Sequence, residues 1–218
     1  MVALPNSAVQ PTRVAQDPAA TISALIEAVR HFSQRVCMQR GQVIYREGEC
    51  ANTVFALASG MVRSSMILTD ARRQIVGFHE AGDLIGVTSA AAYLETAEAV
   101  TPVEAKSVTR EQFDRVLDEQ PHLRAFVISW AFRNLDASRQ HVLLVGRMTA
   151  RERVGFFLLE RTHGKRGFAE LRMSRGDVAD YLGLTIETVS RTMTHLRLQG
   201  AICTKRNGVE VIRPDQLK

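Results

Sequence analysis

In the segment SRGDVADYLGLTIETVSR, small, turn-forming and apolar residues recur at a spacing that fixes the local fold. Counting Arg175 as the first position, Ala179 is the fifth, Gly183 the ninth and Val189 the fifteenth. Two short helices that cross steeply through a tight turn need a small side chain at their contact. They also need a residue tolerant of left-handed φ in the turn and an apolar residue beneath the second helix. Ala179, Gly183 and Val189 meet these needs in order. Ser174 with Asp177 predicts the cap of the first helix, and Thr185 the cap of the second. The pattern predicts a helix-turn-helix.

On the second helix Val189, Met193 and Leu196 share one face at i, i+4 and i+7, while Glu187, Ser190, Arg191 and Thr194 share the opposite one. Downstream, AICTKRNGVEVI predicts a hairpin with Asn207-Gly208 at its turn, and AELRM upstream a strand. Together these describe a winged helix. The net charge of +5 is concentrated here: from Met148 onward there are 13 Lys and Arg against 8 Asp and Glu, while the rest of the chain holds 15 of each. Basic side chains set against phosphates release condensed counterions, so a polyanion suits this third of the chain.

The exposed face of such a helix fits the major groove of double-stranded DNA. Arg191 can fork onto guanine O6 and N7, Glu187 can accept from cytosine N4 or adenine N6, and Ser190 can touch a neighbouring base or its methyl. Arg175, Thr185, Thr188, Lys205 and Arg206 supply the backbone grip. The competing reading makes Glu187 and Arg191 an ordinary i, i+4 surface pair worth about 0.3 to 0.5 kcal/mol.

Upstream of this unit, Pro121 can open a helix that meets no further Pro and no Gly until Gly146. Ile128, Leu135 and Val142 recur at sevens with Ala131 and Val145 between them, a coiled-coil seam that predicts a homodimer. Ser138 and Arg139 interrupt it, and a helix packed only on its own domain is the alternative. Thr149 and Glu152 predict a capping box, followed by a Val154, Phe157, Leu158 stripe that stops near Gly164.

From Arg40 the texture is different: QVIY, TVFALA, MVRSSMIL, QIVGFH, DLIGV and AEAVT alternate with turn signals about every ten residues. An antiparallel sandwich or β-roll over about 35–110 is predicted. The expected class is therefore α+β, in four parts: a loose tail over 1–24, a β-roll of jelly-roll, cyclic-nucleotide-binding-like type over 25–120, a dimerisation helix over 121–147 and a winged helix over 148–218. ISALIEAVRHF, at the start of the roll, predicts a short amphipathic helix.

Composition narrows the rest. No run of about eighteen apolar residues and no basic start with an apolar core is present, which predicts a cytoplasmic chain without a membrane partner. Cys37, Cys50 and Cys203 are widely spaced, so neither a disulfide framework nor a thiolate cage is expected. Cys203 has two readings: a redox-active thiol beside Lys205 and Arg206, or an apolar residue next to Ile202 packed on the sheet.

The segment DVADYLGLTIETVSRTMTHLRLQGAI closely resembles the recognition segment of the Crp/Fnr superfamily, and in particular its FixK branch, including the E-x-x-S-R signature as Glu187, Ser190 and Arg191. RGQVIYREGE, VFALASGMVR, AGDLIGV and ETAEAV are similar to the family's β-roll, so the resemblance covers about residues 25–215. It implies a homodimer that binds TTGAT-N4-ATCAA-type palindromes and recruits RNA polymerase, usually as an activator. It also raises the question of an effector. Where cyclic-AMP receptors place a glutamate and an arginine, this chain has Gly86-Val87 and Glu95-Thr96-Ala97, so cyclic AMP is not expected. Residues 1–36 contain no Cys, so the iron–sulfur cluster of Fnr proteins is not expected either. Haem-sensing relatives use His, Cys or Met ligands, for which His31, Cys37, Met38 and His79 are candidates. Two alternatives stay open: an effector-gated regulator of the same fold, and a cupin-type metal enzyme, although Arg40 to Val103 offers only His79 as a histidine ligand.

Overall fold

The computed structural model describes residue 27 and residues 32–217. The predicted tail, the helix over ISALIEAVRHF and His31 lie outside the described residues or almost wholly so. Eight strands follow: β1 (Gln34–Met38), β2 (Val43–Tyr45), β3 (Thr53–Ser59), β4 (Met61–Ile67), β5 (Arg73–Glu80), β6 (Leu84–Ile85), β7 (Thr96–Ala99) and β8 (Val103–Thr109). They form two antiparallel four-stranded sheets, ordered β1-β8-β3-β6 and β2-β7-β4-β5. Period-two alternation puts Phe55, Leu57, Val62, Ala97, Ala99, Val103 and Ala105 between the sheets, together with Tyr45 and Tyr93. This is the expected β-roll.

Helix α1 (Arg110–Glu119), capped by the Thr109 hydroxyl, closes the roll with Phe113 and Val116. Helix α2 (Pro121–Arg147) has Pro121 in its first turn and runs 27 residues, as predicted. Its start buries Leu123 and Phe126 against the outer side of the first sheet, and its end buries Leu144 in the C-terminal core. The ten residues 131–140 between these anchors are exposed.

The C-terminal unit comprises α3 (Ala150–Arg161), β9 (Gly167–Glu170), α4 (Arg175–Leu182), α5 (Ile186–Leu198), β10 (Ile202–Lys205), β11 (Gly208–Val211) and a 3₁₀ turn (Pro214–Leu217). Thr149 and Glu152 form the predicted capping box of α3, whose Val154, Phe157 and Leu158 are buried. The hairpin differs from expectation by one position. Lys205 pairs with Gly208, so the loop is Arg206-Asn207 and Gly208 already belongs to β11. Gly208 is needed there for space, because a Cβ would stand 2.2 Å from the Ala169 carbonyl oxygen on β9.

Candidate nucleic-acid interface

Helices α4 and α5 meet as the fifteen-residue pattern demands. Ala179 is 1% exposed at their contact, and its carbonyl accepts from the amides of both Gly183 and Leu184. Gly183 takes the left-handed conformation (φ 62°, ψ 41°) that turns the chain, and Val189 is fully buried beneath α5. Ser174 and Asp177 complete a capping box on α4. Thr185 caps α5, its hydroxyl accepting from the Thr188 amide at 3.2 Å.

With Val189, Met193 and Leu196 turned inward, the opposite face of α5 lies open. Glu187 and Arg191 are exposed, with Ser190 half-buried between them. The Glu187 carboxyl is held below its usual range by its own backbone amide and then by the Thr185 hydroxyl, with Arg191 contributing least. The carboxylate is therefore ionised on this exposed face. Arg175, in the first turn of α4, donates to the Ser190 hydroxyl at 3.4 Å, which ties it to the same face. The Thr185 hydroxyl and Thr188 lie at the amino end of α5, where backbone N–H groups favour phosphate.

The wing is mixed in character. Arg206 is exposed in its loop, whereas Lys205 pairs across the strands with Glu210 at 3.3 Å. Cys203 is half-exposed and pairs with Glu210 across the hairpin, so it is not the buried apolar residue of the second expectation.

Several residues outside this face matter for its placement and were not singled out from sequence. Arg63 on β4 and Arg73 on β5 both donate to the buried Asp177 of α4, at 2.8 and 2.9 Å. Gln74 donates to the Asp180 carbonyl at 2.7 Å. Tyr181 packs against Phe78, His141 and Phe157, and burial pushes its hydroxyl up to about 12. The partners on the roll lie about a hundred residues from α4 in the chain, so no local pattern signals them.

Inside the roll, Tyr45 and Tyr93 stack with centroids 3.9 Å apart, and the Tyr93 hydroxyl donates to the Thr53 carbonyl. Ser64 is fully buried and donates to Glu95 at 2.6 Å, with His79 Nε2 3.0 Å from the same hydroxyl. Burial holds the His79 imidazole below its usual range despite the nearby acids Asp83 and Glu95. Cys37 and Met38 are adjacent on β1, the first exposed and the second in the core.

The α2 seam is only partly as expected. Ile128, Leu135 and Val142 are exposed by 50, 43 and 65%, and Ala131 is exposed beside them. Val145 instead packs into the C-terminal core of its own chain. Phe132 (62% exposed) and Leu143 extend the open row, and Phe132 stands at i+4 from Ile128, a signal present in the periodicity.

A β-roll joined by a long helix to a winged helix with an open, polar recognition face defines a DNA-binding transcription regulator. Residues 35–120 match the model of the cyclic nucleotide-binding domain, and residues 152–218 that of the Crp-like helix-turn-helix domain. The nitrogen fixation regulation protein FixK of Bradyrhizobium diazoefficiens is 35% identical over 202 residues, covering 90% of this chain and 85% of that protein. The transcriptional activatory protein AadR of Rhodopseudomonas palustris is 34% identical over 86% of this chain and 81% of its own length. The structure of FixK2 from Bradyrhizobium japonicum superposes with a TM-score of 0.79 at 34% identity, over 85% of this chain and 95% of that one. The chain belongs to the Crp/Fnr family, with FixK proteins among its relatives. It is a regulator and not a cupin-type enzyme. Among the described residues, no helix is long and apolar enough to cross a membrane.

Proposed function

We propose that two copies of this chain, joined along α2, read a TTGAT-N4-ATCAA-type palindrome in the cytoplasm and activate transcription by recruiting RNA polymerase, without a small-molecule effector. The observation that carries this reading is the open face of α5, where Glu187, Ser190 and Arg191 stand together with Arg175 and the capping hydroxyl of Thr185 beside them. Arg191 forks onto guanine, Glu187 accepts from an exocyclic amine and Ser190 touches the adjoining base. Arg175, Thr185, Thr188, Lys205 and Arg206 grip phosphates. The exposed Ile128, Phe132, Leu135 and Val142 row supplies the surface that a second α2 covers.

Effector independence is supported by the roll interior. The residues there do not fit a cyclic nucleotide: Glu95 would set a carboxylate against its phosphate, and the Tyr45–Tyr93 stack fills the space beside Gly86. Haem gains little support from a His79 imidazole already engaged with Ser64. Fluorescence-anisotropy titration of the reduced protein with no addition, against the palindrome and a scrambled duplex at fixed salt, tests the proposal. Tight, selective binding is expected, and weak binding rescued by a ligand would replace it with the effector-gated alternative.

A further inference from the structure

We infer that Arg63 and Arg73, which lie on the β-roll, are positioning residues for DNA reading: by tying α4 to the roll they set the separation of the two recognition helices, and hence the half-site spacing that the dimer accepts. This rests on the dimeric, palindrome-reading function proposed above.

The geometry converges on Asp177, whose side chain is 4% exposed. One of its oxygens accepts from both Arg63 Nη1 and Arg73 Nη2, at 2.8 and 2.9 Å, while the other caps α4 through the Ser174 amide and hydroxyl. Arg63 also reaches Glu98, its direct cross-strand neighbour, at 2.6 Å. Arg73 Nε reaches Asp180 at 2.8 Å. Gln74 Nε2 donates to the carbonyls of Asp180 and Tyr181, in the last turn of α4. Both ends of an eight-residue helix are thus fastened to neighbouring strands of one sheet. The Tyr181 ring also meets His141 of α2, with ring centroids 4.3 Å apart.

Such a cluster is a poor source of stability. The cost of burying the charges offsets most of their attraction, and apolar side chains in the same space would hold as well or better. What charge-assisted, forked hydrogen bonds add is a single orientation. Because α5 leaves α4 through the tight Gly183 turn, the orientation of α4 is also that of the recognition helix. Two rigidly held reading heads gain avidity only where both half-sites fall under them, so rigidity appears as spacing selectivity.

The test uses the full-length protein as wild type, as Arg63→Gln/Arg73→Gln and as the conservative Arg63→Lys/Arg73→Lys. Binding is measured to the palindrome, to duplexes with the spacer one base pair shorter or longer, and to a single half-site. The wild type should favour its own spacing by about tenfold or more, and the glutamine pair by only about twofold, with half-site affinity unchanged. The lysine pair should recover part of the selectivity. Gln74→Ala, which removes one tie without touching a charge, should lower it slightly. A glutamine pair that keeps the wild-type preference overturns the inference alone. One that loses half-site and palindrome binding equally has only a structural role and overturns it too, provided Gln74→Ala leaves selectivity intact. A wild type indifferent to spacing overturns both this inference and the palindrome-reading function.

Discussion

At the scale of single residues, DNA reading divides between side chains that distinguish bases and side chains that hold phosphates. In the function proposed above, Arg191, exposed on α5, belongs to the first group. Replacing it with Ala should cost about 1 to 3 kcal/mol on the cognate site and relax discrimination at one base pair. Arg175→Ala should instead weaken cognate and scrambled duplexes alike and lower the salt slope by about one. Anisotropy titrations of both variants at several salt concentrations separate these outcomes, and equal losses on both duplexes for Arg191→Ala would remove it from base reading. The placement of these residues on one face was legible in the sequence because helix caps, turns and faces are set by neighbours within four positions. Asp177 shows the limit of that reading: its capping role is local, whereas the two arginines that share its other oxygen lie 104 and 114 positions away.

At the scale of elements, α2 is defined by what it leaves uncovered. Its ends are anchored in two different cores of its own chain, yet the middle ten residues are exposed. Phe132 and Leu135 sit at the centre of that row, and each contributes about 1.5 to 3 kcal/mol when buried by a partner helix. Phe132→Glu with Leu135→Glu should therefore convert a dimer to a monomer at micromolar concentration. Light scattering after size exclusion checks this, and palindrome affinity should fall while half-site affinity stays. A double variant that remains dimeric would move the interface elsewhere. The helix was legible from a run with no proline after Pro121 and no glycine before Gly146. Its seam was legible as a row of exposed apolar residues, and Val145, counted with that row, packs at the helix end against the C-terminal core. The wing shows a one-position error: an Asn-Gly pair suggests a turn, but Gly208 answers to the closeness of β9.

At the scale of the whole molecule, the junction of roll, helix and winged helix contains groups that couple its stability to pH. Burial holds His141, packed on Tyr181, below the ordinary imidazole value of 6.5, and does the same to His79 in spite of two nearby acids. Neither junction nor polar interior was foreseeable from turn signals and strand alternation, which specify sheets but not what docks on them. The unfolded chain binds protons on these imidazoles below about pH 6.5 that the folded chain refuses, so stability is fully present above that value and falls as acid is added. Glu160 works in the opposite direction. Burial raises its carboxyl above 4.5, so its ionised form is a liability at neutral pH that acid relieves. The two contributions separate by substitution. His141→Phe keeps an aromatic ring against Tyr181 and removes the proton site, so its melting temperature should fall less than that of the wild type between about pH 7 and pH 5.5. Parallel calorimetric scans across that range measure the difference, and identical slopes for the two proteins would show that protonation of His141 is not what acid exploits at this junction.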